Sequence, residues 1–269
     1  MDKMQKIITT AVTASANTKI VYFEENDLIT VFTTVYNTAY LVKRTFLISN
    51  DCKSAEIIKK GDAIDNPTSN YPIFTYQPEG KKFFMLNRYT ARATNNIDIH
   101  AEGKKDTYIV VANSIRAISV SYNGNKLYGL DNFGNVSDIK TQNHVINING
   151  RGQVSCFAVN NDGSIIALAY MNGYVLQFYN TKSGKLLHEF RCNLPVSYMS
   201  FNKDGSKLVA ALCNNHLHIY DVELMLGKIA KDMLIRGIID KSSNINKLLV
   251  CNTIYDYHLV GLIAGFIAR

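Results

Sequence analysis

The sequence predicts an all-β fold in which one four-stranded antiparallel sheet is repeated along the chain. Three observations carry this. Sixteen Tyr, twelve Phe, many Val, Ile and Thr and only four Pro in 269 residues favour strands. A glycine turn between two apolar runs recurs at a near-constant interval. Short apolar segments separated by Gly, Asn and Asp fill each interval, as hairpins require. With 47% hydrophobic and 19% charged residues the chain is long enough to bury a core, which excludes a disordered tail, a collagenous repeat and a small disulfide module.

The repeat is legible without gaps. Gly80-Lys81-Lys82-Phe83, Gly124-Asn125-Lys126-Leu127, Gly163-Ser164-Ile165-Ile166 and Gly205-Ser206-Lys207-Leu208 are separated by 44, 39 and 42 residues, and Ile245-Asn246-Lys247-Leu248 continues the series 40 residues on. Asn123, Asp162 and Asp204 precede the glycine, which reads as Asx-Gly turn chemistry with positive φ.

Two units read almost line for line. Strands are expected at Val154–Val159, Ile165–Ala169 and Val175–Asn180, with a turn at Asn172-Gly173, and again at Val196–Phe201, Lys207–Ala211 and Leu217–Asp221, with a turn at Asn214-Asn215. Lys185–Phe190 supplies the fourth strand between them. In the less regular residues 1–79, strands are expected at Lys19–Phe23, Leu28–Thr34, Ala39–Ile48 and Ala55–Lys59, with Gly61–Pro72 as a polar loop. Val222–Ile235 carries Val222, Met225, Ile229 and Met233 at helical spacing, an amphipathic insertion.

Over 115–222 the chain resembles the WD40-repeat family, with Tyr179-Asn180 and Tyr220-Asp221 where the family's Trp-Asp dipeptide falls and Cys192-Asn193 in place of its Gly-His pair. The resemblance implies a single β-propeller domain over 1–269, of six or seven four-stranded blades at about 42 residues each. Ile7–Val12 is then available to complete the last blade. A His, a Ser or Thr and an Asp pin many WD40 blades, and for His188, Ser197 and Asp204 the resemblance implies a scaffolding or surface role.

A narrower resemblance is to PROPPINs, the phosphoinositide-binding propellers of autophagy and membrane trafficking. Lys185-Leu186-Leu187-His188-Glu189-Phe190-Arg191 and the strand His216–Tyr220 look like the corresponding blades. Phe190 and Arg191 match the Phe-Arg-Arg-Gly signature, while Cys192 and Asn193 replace its second Arg and its Gly, so Arg191 alone is left as a phosphoinositide-binding residue.

No nucleotide-binding, nucleophile-elbow or metalloprotease motif is present. The expectation is a non-enzyme with no cofactor, no metal and no small-molecule substrate. His216 and His218 share one strand face but have no third ligand, and read as blade side chains. The function expected from the repeat is a scaffold for protein–protein interaction, a subunit of a larger complex.

A net charge of +7 favours anionic partners, RNA or an anionic membrane, through the basic pairs Lys59-Lys60, Lys81-Lys82 and Lys104-Lys105 and the Lys228–Arg236 stretch. Cys52, Cys156, Cys192, Cys213 and Cys251 form no C-x-x-C pair and are odd in number, as reduced thiols of a cytoplasmic protein are, with a nuclear location open and secretion disfavoured. Lys3, Lys6 and Ile7–Ala16 imitate a signal peptide, but Thr9, Thr10 and Thr13 make the apolar stretch weak and a strand explains it. Leu259–Ala268 is about half of a membrane span and reads as a buried terminal strand.

Overall fold

The computed structural model describes residues 5–8, 17–23, 28–34, 40–48, 55–65, 74–87, 95–101, 104–111, 115–131, 133–141, 143–147, 153–172, 174–214 and 216–229. The chain divides into two compact units, Met1–Tyr220 and Asp221–Arg269.

The first unit is built from five four-stranded antiparallel sheets. Sheet 1 holds β2 (Asn17–Phe23), β3 (Ile29–Thr34), β4 (Tyr40–Ile48) and β5 (Ala55–Asp65). Sheet 2 holds β6 (Phe74–Gln77), β7 (Lys82–Asn87), β8 (Asn95–Ala101) and β9 (Lys104–Val111). Sheet 3 holds β10 (Ile115–Val120), β11 (Leu127–Asp131), β12 (Asn135–Asp138) and β13 (His144–Asn147). Sheet 4 holds β14 (Val154–Val159), β15 (Ile165–Tyr170), β16 (Val175–Asn180) and β17 (Leu186–Arg191). Sheet 5 is β18 (Val196–Phe201), β19 (Lys207–Leu212) and β20 (Leu217–Asp221), completed by β1 (Gln5–Ile8).

Pairing of Gln5 with Tyr220 and Ile8 with Leu217 puts β1 on sheet 5; of the strand expected at Ile7–Val12, Ile7 and Ile8 take part in it, and residues 9–12 lie outside the described residues. Where six or seven blades were expected, the described residues form five sheets, and the Ile245 continuation lies outside them. Dividing the length by 42 assigns every residue to a blade, whereas sheet 1 alone runs from Asn17 to Asp65. That span is a regular sheet, and Gly61–Asp65 is strand rather than loop. Tyr40, Leu41 and Val42 pair with Asp65, Ile64 and Ala63, and a register shift between Val42 and Arg44 absorbs the extra residues.

Burial explains the order of strands within a sheet. All six residues of β15 are buried, because a strand in mid-sheet is covered on both faces by neighbouring sheets, whereas only Phe190 is fully buried in the outermost strand β17. Each sheet packs on the next. Tyr22 and Tyr76 join sheets 1 and 2, with ring centroids 4.9 Å apart. Leu86 and Ile97 share a cluster with Ile118 and Leu127 of sheet 3, and Leu130 and Val136 share another with Leu168 and Tyr170 of sheet 4. Phe178 meets Phe201 edge-on between sheets 4 and 5, and Val209 and Ala211 return to the Val21 and Phe23 cluster of sheet 1. The Tyr198 hydroxyl accepts a hydrogen bond from the Tyr76 amide at 3.0 Å and lies 3.3 Å from Thr75 Oγ1, tying β18 to β6.

The repeated glycine turns lie at one end of the sheets. The amides of Gly124, Gly163 and Gly205 donate to Ser121, Asn160 and Asn202 carbonyls, with φ of 77°, 74° and 78°. Among the described residues only Lys81 and Tyr174 are non-glycine residues with positive φ. Asn123, Asp162 and Asp204 therefore act through their side chains: each Oδ1 accepts from the amide two residues on, at 3.0, 2.9 and 2.8 Å. In sheet 2 the turn bond starts one residue later, at the Pro78 carbonyl, and the left-handed conformation moves from Gly80 to Lys81, φ 49°. Gly80 and Gly124 instead leave room for Gln77, since a Cβ on either would lie 2.8 or 2.6 Å from its Nε2. Asn161 stitches three turns together, its Oδ1 accepting from the Asn123 amide at 2.9 Å and its Nδ2 donating to the Lys203 carbonyl.

In the second unit residues 222–229 are helical, as the spacing of Val222 and Met225 requires; both are buried, while Glu223 and Leu224 are exposed. Asp221 Oδ1 accepts from the Leu224 amide at 2.8 Å, an N-cap bond. Met233, Arg236 and Leu259–Ala268 lie outside the described residues.

Candidate functional site

The opposite end of the sheets carries the turns from second to third strand and the beginnings of the innermost strands. Between β11 and β12, Asp131 Oδ1 accepts from the amides of Phe133 and Asn135, both at 2.8 Å, and its Oδ2 accepts from Asn135 Nδ2 at 2.8 Å. Gly134 supplies the left-handed step at φ 82°. A carboxylate with three donors fixes this turn, and at its tip Phe133 is 73% exposed.

Between β15 and β16, Met171 is 44% and Tyr174 41% exposed. Tyr174 has φ 51°, a conformation that costs an L-residue about 1–3 kcal/mol. Its carbonyl is held by the Cys192 amide at 2.6 Å, and the Met171 amide donates to the Gln153 carbonyl at 2.9 Å. Leu130 and Val136, which flank the Phe133 turn, and Tyr170, which leads into Met171, belong to one buried cluster, so the two turns spring from a shared core. The corresponding turn of sheet 5 presents exposed Cys213, whose amide donates to Pro195 O at 3.0 Å.

The innermost strands add a bulge at this end. Register shifts between Ile115 and Ala117, Val154 and Cys156, and Val196 and Tyr198 leave Arg116, Ser155 and Ser197 as the extra residues. Ser155 and Ser197 hydroxyls donate to the Ala169 and Ala211 carbonyls, at 3.2 and 3.1 Å. Arg116 is half-buried, and its Nε is buried without a hydrogen-bond acceptor.

Arg191, the one phosphoinositide-binding residue expected from the sequence, is exposed and pairs with Val175, beside the Tyr174 turn. Phe190 turns inward, its ring 5.0 Å from Tyr220. Cys192 is also buried, its Sγ 3.4 Å from the Tyr220 hydroxyl, and burial pushes the thiol up. The position of the signature's second arginine is thus a neutral core group.

Ser197 and Asp204 stand at opposite ends of the strand that joins them and are engaged locally, Asp204 by the Ser206 amide. His188 packs edge-on to Phe190 at 4.5 Å, on a different strand from both. His216 is half-buried, and His218 is buried with Nδ1 3.4 Å from the Tyr220 hydroxyl. Burial, and then the neighbouring His216, lower its pKa from 6.5 to about 4. Among the described residues no three His, Cys, Asp or Glu side chains are grouped as metal ligands. Lys59 and Lys60 lie on β5 and Lys104 and Lys105 on β9, both outermost strands, while Lys81 is exposed in a glycine turn.

Phe133, Met171 and Tyr174 were not singled out from the sequence. The available signal was their position: large apolar residues within turns, where polar ones are expected.

Residues 122–203 match the family described as Anaphase-promoting complex subunit 4 WD40 domain. The chain is 35% identical over 75 residues to SVP1-like protein 2 of Debaryomyces hansenii, a segment that is 27% of this chain and 17% of that protein. SVP1-like protein 2 of Candida albicans is 29% identical over 76 residues, 27% of this chain and 13% of the relative; that of Pichia angusta is 31% identical over 75 residues, 27% and 21%. The matched segment thus spans about a fifth or less of these relatives' length. Among solved structures, the WD40 β-propeller domain of Doa1 superposes with a TM-score of 0.51 at 8% identity, covering 81% of this chain and 97% of that one. The family match and the superposition show a WD40-repeat β-propeller fold.

Proposed function

We propose that this WD40-repeat propeller is a non-enzymatic scaffold that holds other proteins together as a subunit of a larger cytoplasmic complex. The propeller fold supports a protein-interaction role, and the observation that carries the reading is the Phe133 turn. Three donors on Asp131 hold a large aromatic side chain out into solvent, an arrangement that adds nothing to a core and supplies an anchor for a partner. The groups whose ionisation is most perturbed, Tyr220, Cys156, His218 and Tyr198, are all pushed towards their neutral forms by burial inside the sheets, which suits packing rather than proton transfer.

The test is affinity purification of the full chain from its native cell in mild salt, followed by sizing of the eluate. A stoichiometric partner is expected. A monomer without one would refute the scaffold.

A second reading, a PROPPIN-like phosphoinositide reader, draws on the exposed Arg191 beside inward-facing Phe190. Buried Cys192 removes the cation that a second headgroup needs, so this reading retains one pocket at most. Flotation with liposomes containing phosphatidylinositol 3-phosphate separates the two. A scaffold ignores the headgroup; a reader floats with it and loses most binding on Arg191→Ala.

A further inference from the structure

We infer that the end of the sheets bearing Phe133, Met171, Tyr174, Arg116 and Arg191 is the docking face, and that its occupant is a protein segment carrying carboxylates among apolar side chains. The inference rests on the scaffold reading and names the surface and the partner's chemistry.

The apolar half of the argument is one of placement. Of the six large hydrophobic side chains exposed among the described residues, Phe133, Met171 and Tyr174 fall on the equivalent turns of adjacent sheets 3 and 4. A single exposed apolar residue is ordinary, whereas three on equivalent turns rooted in one buried cluster stand at the same end of adjacent sheets. Both turns are also held in place. Asp131 fixes one, and the Cys192 and Met171 amides fix the other while Tyr174 remains in a left-handed conformation. Backbone strain retained at an exposed aromatic, in a turn already held by hydrogen bonds, marks a side chain positioned for use. A pre-organised anchor also loses little entropy when a partner closes over it.

The charged half concerns the acceptor that is missing. Arg116 follows Ile115, which pairs with Asp131, so it lies at the root of the Phe133 turn. The side chain is only half-buried, and its buried Nε has no acceptor, so the guanidinium adds to this end a positive charge that no hydrogen bond at Nε offsets. Two described acids are already engaged: Asp131 accepts three hydrogen bonds, and Glu189 on β17 accepts from Gln177 Nε2 at 2.6 Å. Exposed Arg191 flanks the Tyr174 turn from the other side. The partner must therefore bring the negative charge, and the chain's net +7 favours its approach.

Composition selects a protein over a lipid surface. The turn segments 131–135, 171–174 and 191–195 contain Phe, Met, Tyr and Arg and no Lys. Protein interfaces are enriched in aromatics, Met and Arg and depleted in Lys, whereas anionic membranes are met by clusters of Lys and Arg. Asn135 and Asn147, joined at 2.9 Å, supply a polar border.

The test pans a displayed library of random dodecapeptides against the full chain, with anionic vesicles of phosphatidylserine and phosphatidylcholine as a separate probe. Enriched peptides should carry Asp or Glu among Phe, Leu or Ile. Their affinity should fall about tenfold or more on Phe133→Ser. Arg191→Gln should weaken binding and flatten its salt dependence. Both positions are exposed, so circular dichroism of the two variants should match the parent. Failure to enrich, enrichment without acids, undiminished binding to Phe133→Ser, or vesicle binding that the peptides cannot displace would each overturn the inference. If a native partner is retained by Phe133→Ser and Arg191→Gln alike, the scaffold stands and this face falls; if no partner is retained by the parent, the scaffold itself falls.

Discussion

Replacing His218 by glutamine should remove a defined part of the protein's acid sensitivity. The imidazole is 3% exposed in β20, beside the Tyr220 ring at 6.3 Å, with Nδ1 3.4 Å from the Tyr220 hydroxyl. Burial first, then His216, depress its pKa from 6.5 to about 4. The folded protein therefore keeps His218 neutral over a range in which the unfolded chain protonates it. The unfolded state binds the extra proton, so stability is complete above about pH 6.5 and falls as pH drops towards 4, below which it levels off. The full shift corresponds to about 3 kcal/mol, of which about 2 kcal/mol is lost by about pH 5, above the range where ordinary carboxylates titrate. Urea unfolding of parent and His218→Gln at about pH 7.5 and about pH 5 isolates the effect, because the two proteins differ at no other ionisable group. The parent should lose about 2 kcal/mol more than the variant over that interval. Equal losses would show that His218 is not held neutral by its surroundings, and the account of this core would fail.

Three further outcomes follow from the packing. Tyr198→Phe deletes the hydroxyl that accepts from the buried Tyr76 amide and should cost about 1–3 kcal/mol in urea unfolding; a loss under about 0.5 kcal/mol would deny the β18–β6 tie a net role. Gly205→Ala meets only Asn160 Cβ at 3.4 Å and should cost the roughly 1 kcal/mol of left-handed backbone, whereas Gly124→Ala also drives a Cβ to 2.6 Å from Gln77 and should cost about 1–2 kcal/mol more, so equal midpoints would refute the cover over Gln77. Iodoacetamide followed by peptide mapping should modify exposed Cys213 well before Cys156, whose pKa burial pushes up to about 12, and before buried Cys192; early labelling of Cys156 would contradict its burial.

The fold was legible because hairpin chemistry is local. Asn160, Asp162, Gly163 and Ser164 close their turn almost entirely with bonds among themselves, and Asn202, Asp204, Gly205 and Ser206 repeat them, so each copy announces itself in four or five residues. Within each copy the positive φ belongs to the glycine, and the Asx residue contributes an acceptor. What was not legible is set at a distance. Among the described sheets the fifth meets the first through Val209 and Ala211 against Val21, and no local pattern encodes that meeting. The length of β5 depends on β4, whose Tyr40 and Leu41 recruit Asp65 and Ile64 out of a stretch that reads as loop.

The candidate site divides in the same way. Arg191 could be named from the sequence because a motif surrounds it, but whether Cys192 replaces a ligand or fills a core was decided by its approach to Tyr220, 28 residues along the chain. Phe133 belongs to no motif. Its exposure follows from Asp131 gathering three donors, and Leu130 and Tyr170 share a cluster, so that the Phe133 turn and the Met171–Tyr174 turn rise from one core. Repetition is what makes this end informative: equivalent turns arise at equivalent positions on successive sheets, and side chains that differ from sheet to sheet are then free to compose a surface. Core positions of the repeat vary little in kind, as Ile166, Leu168 and Ala169 are matched by Leu208, Ala210 and Ala211. The turn tips vary freely, from Phe133 to Tyr174 to Cys213, because a side chain that points into solvent has no neighbouring sheet to fit.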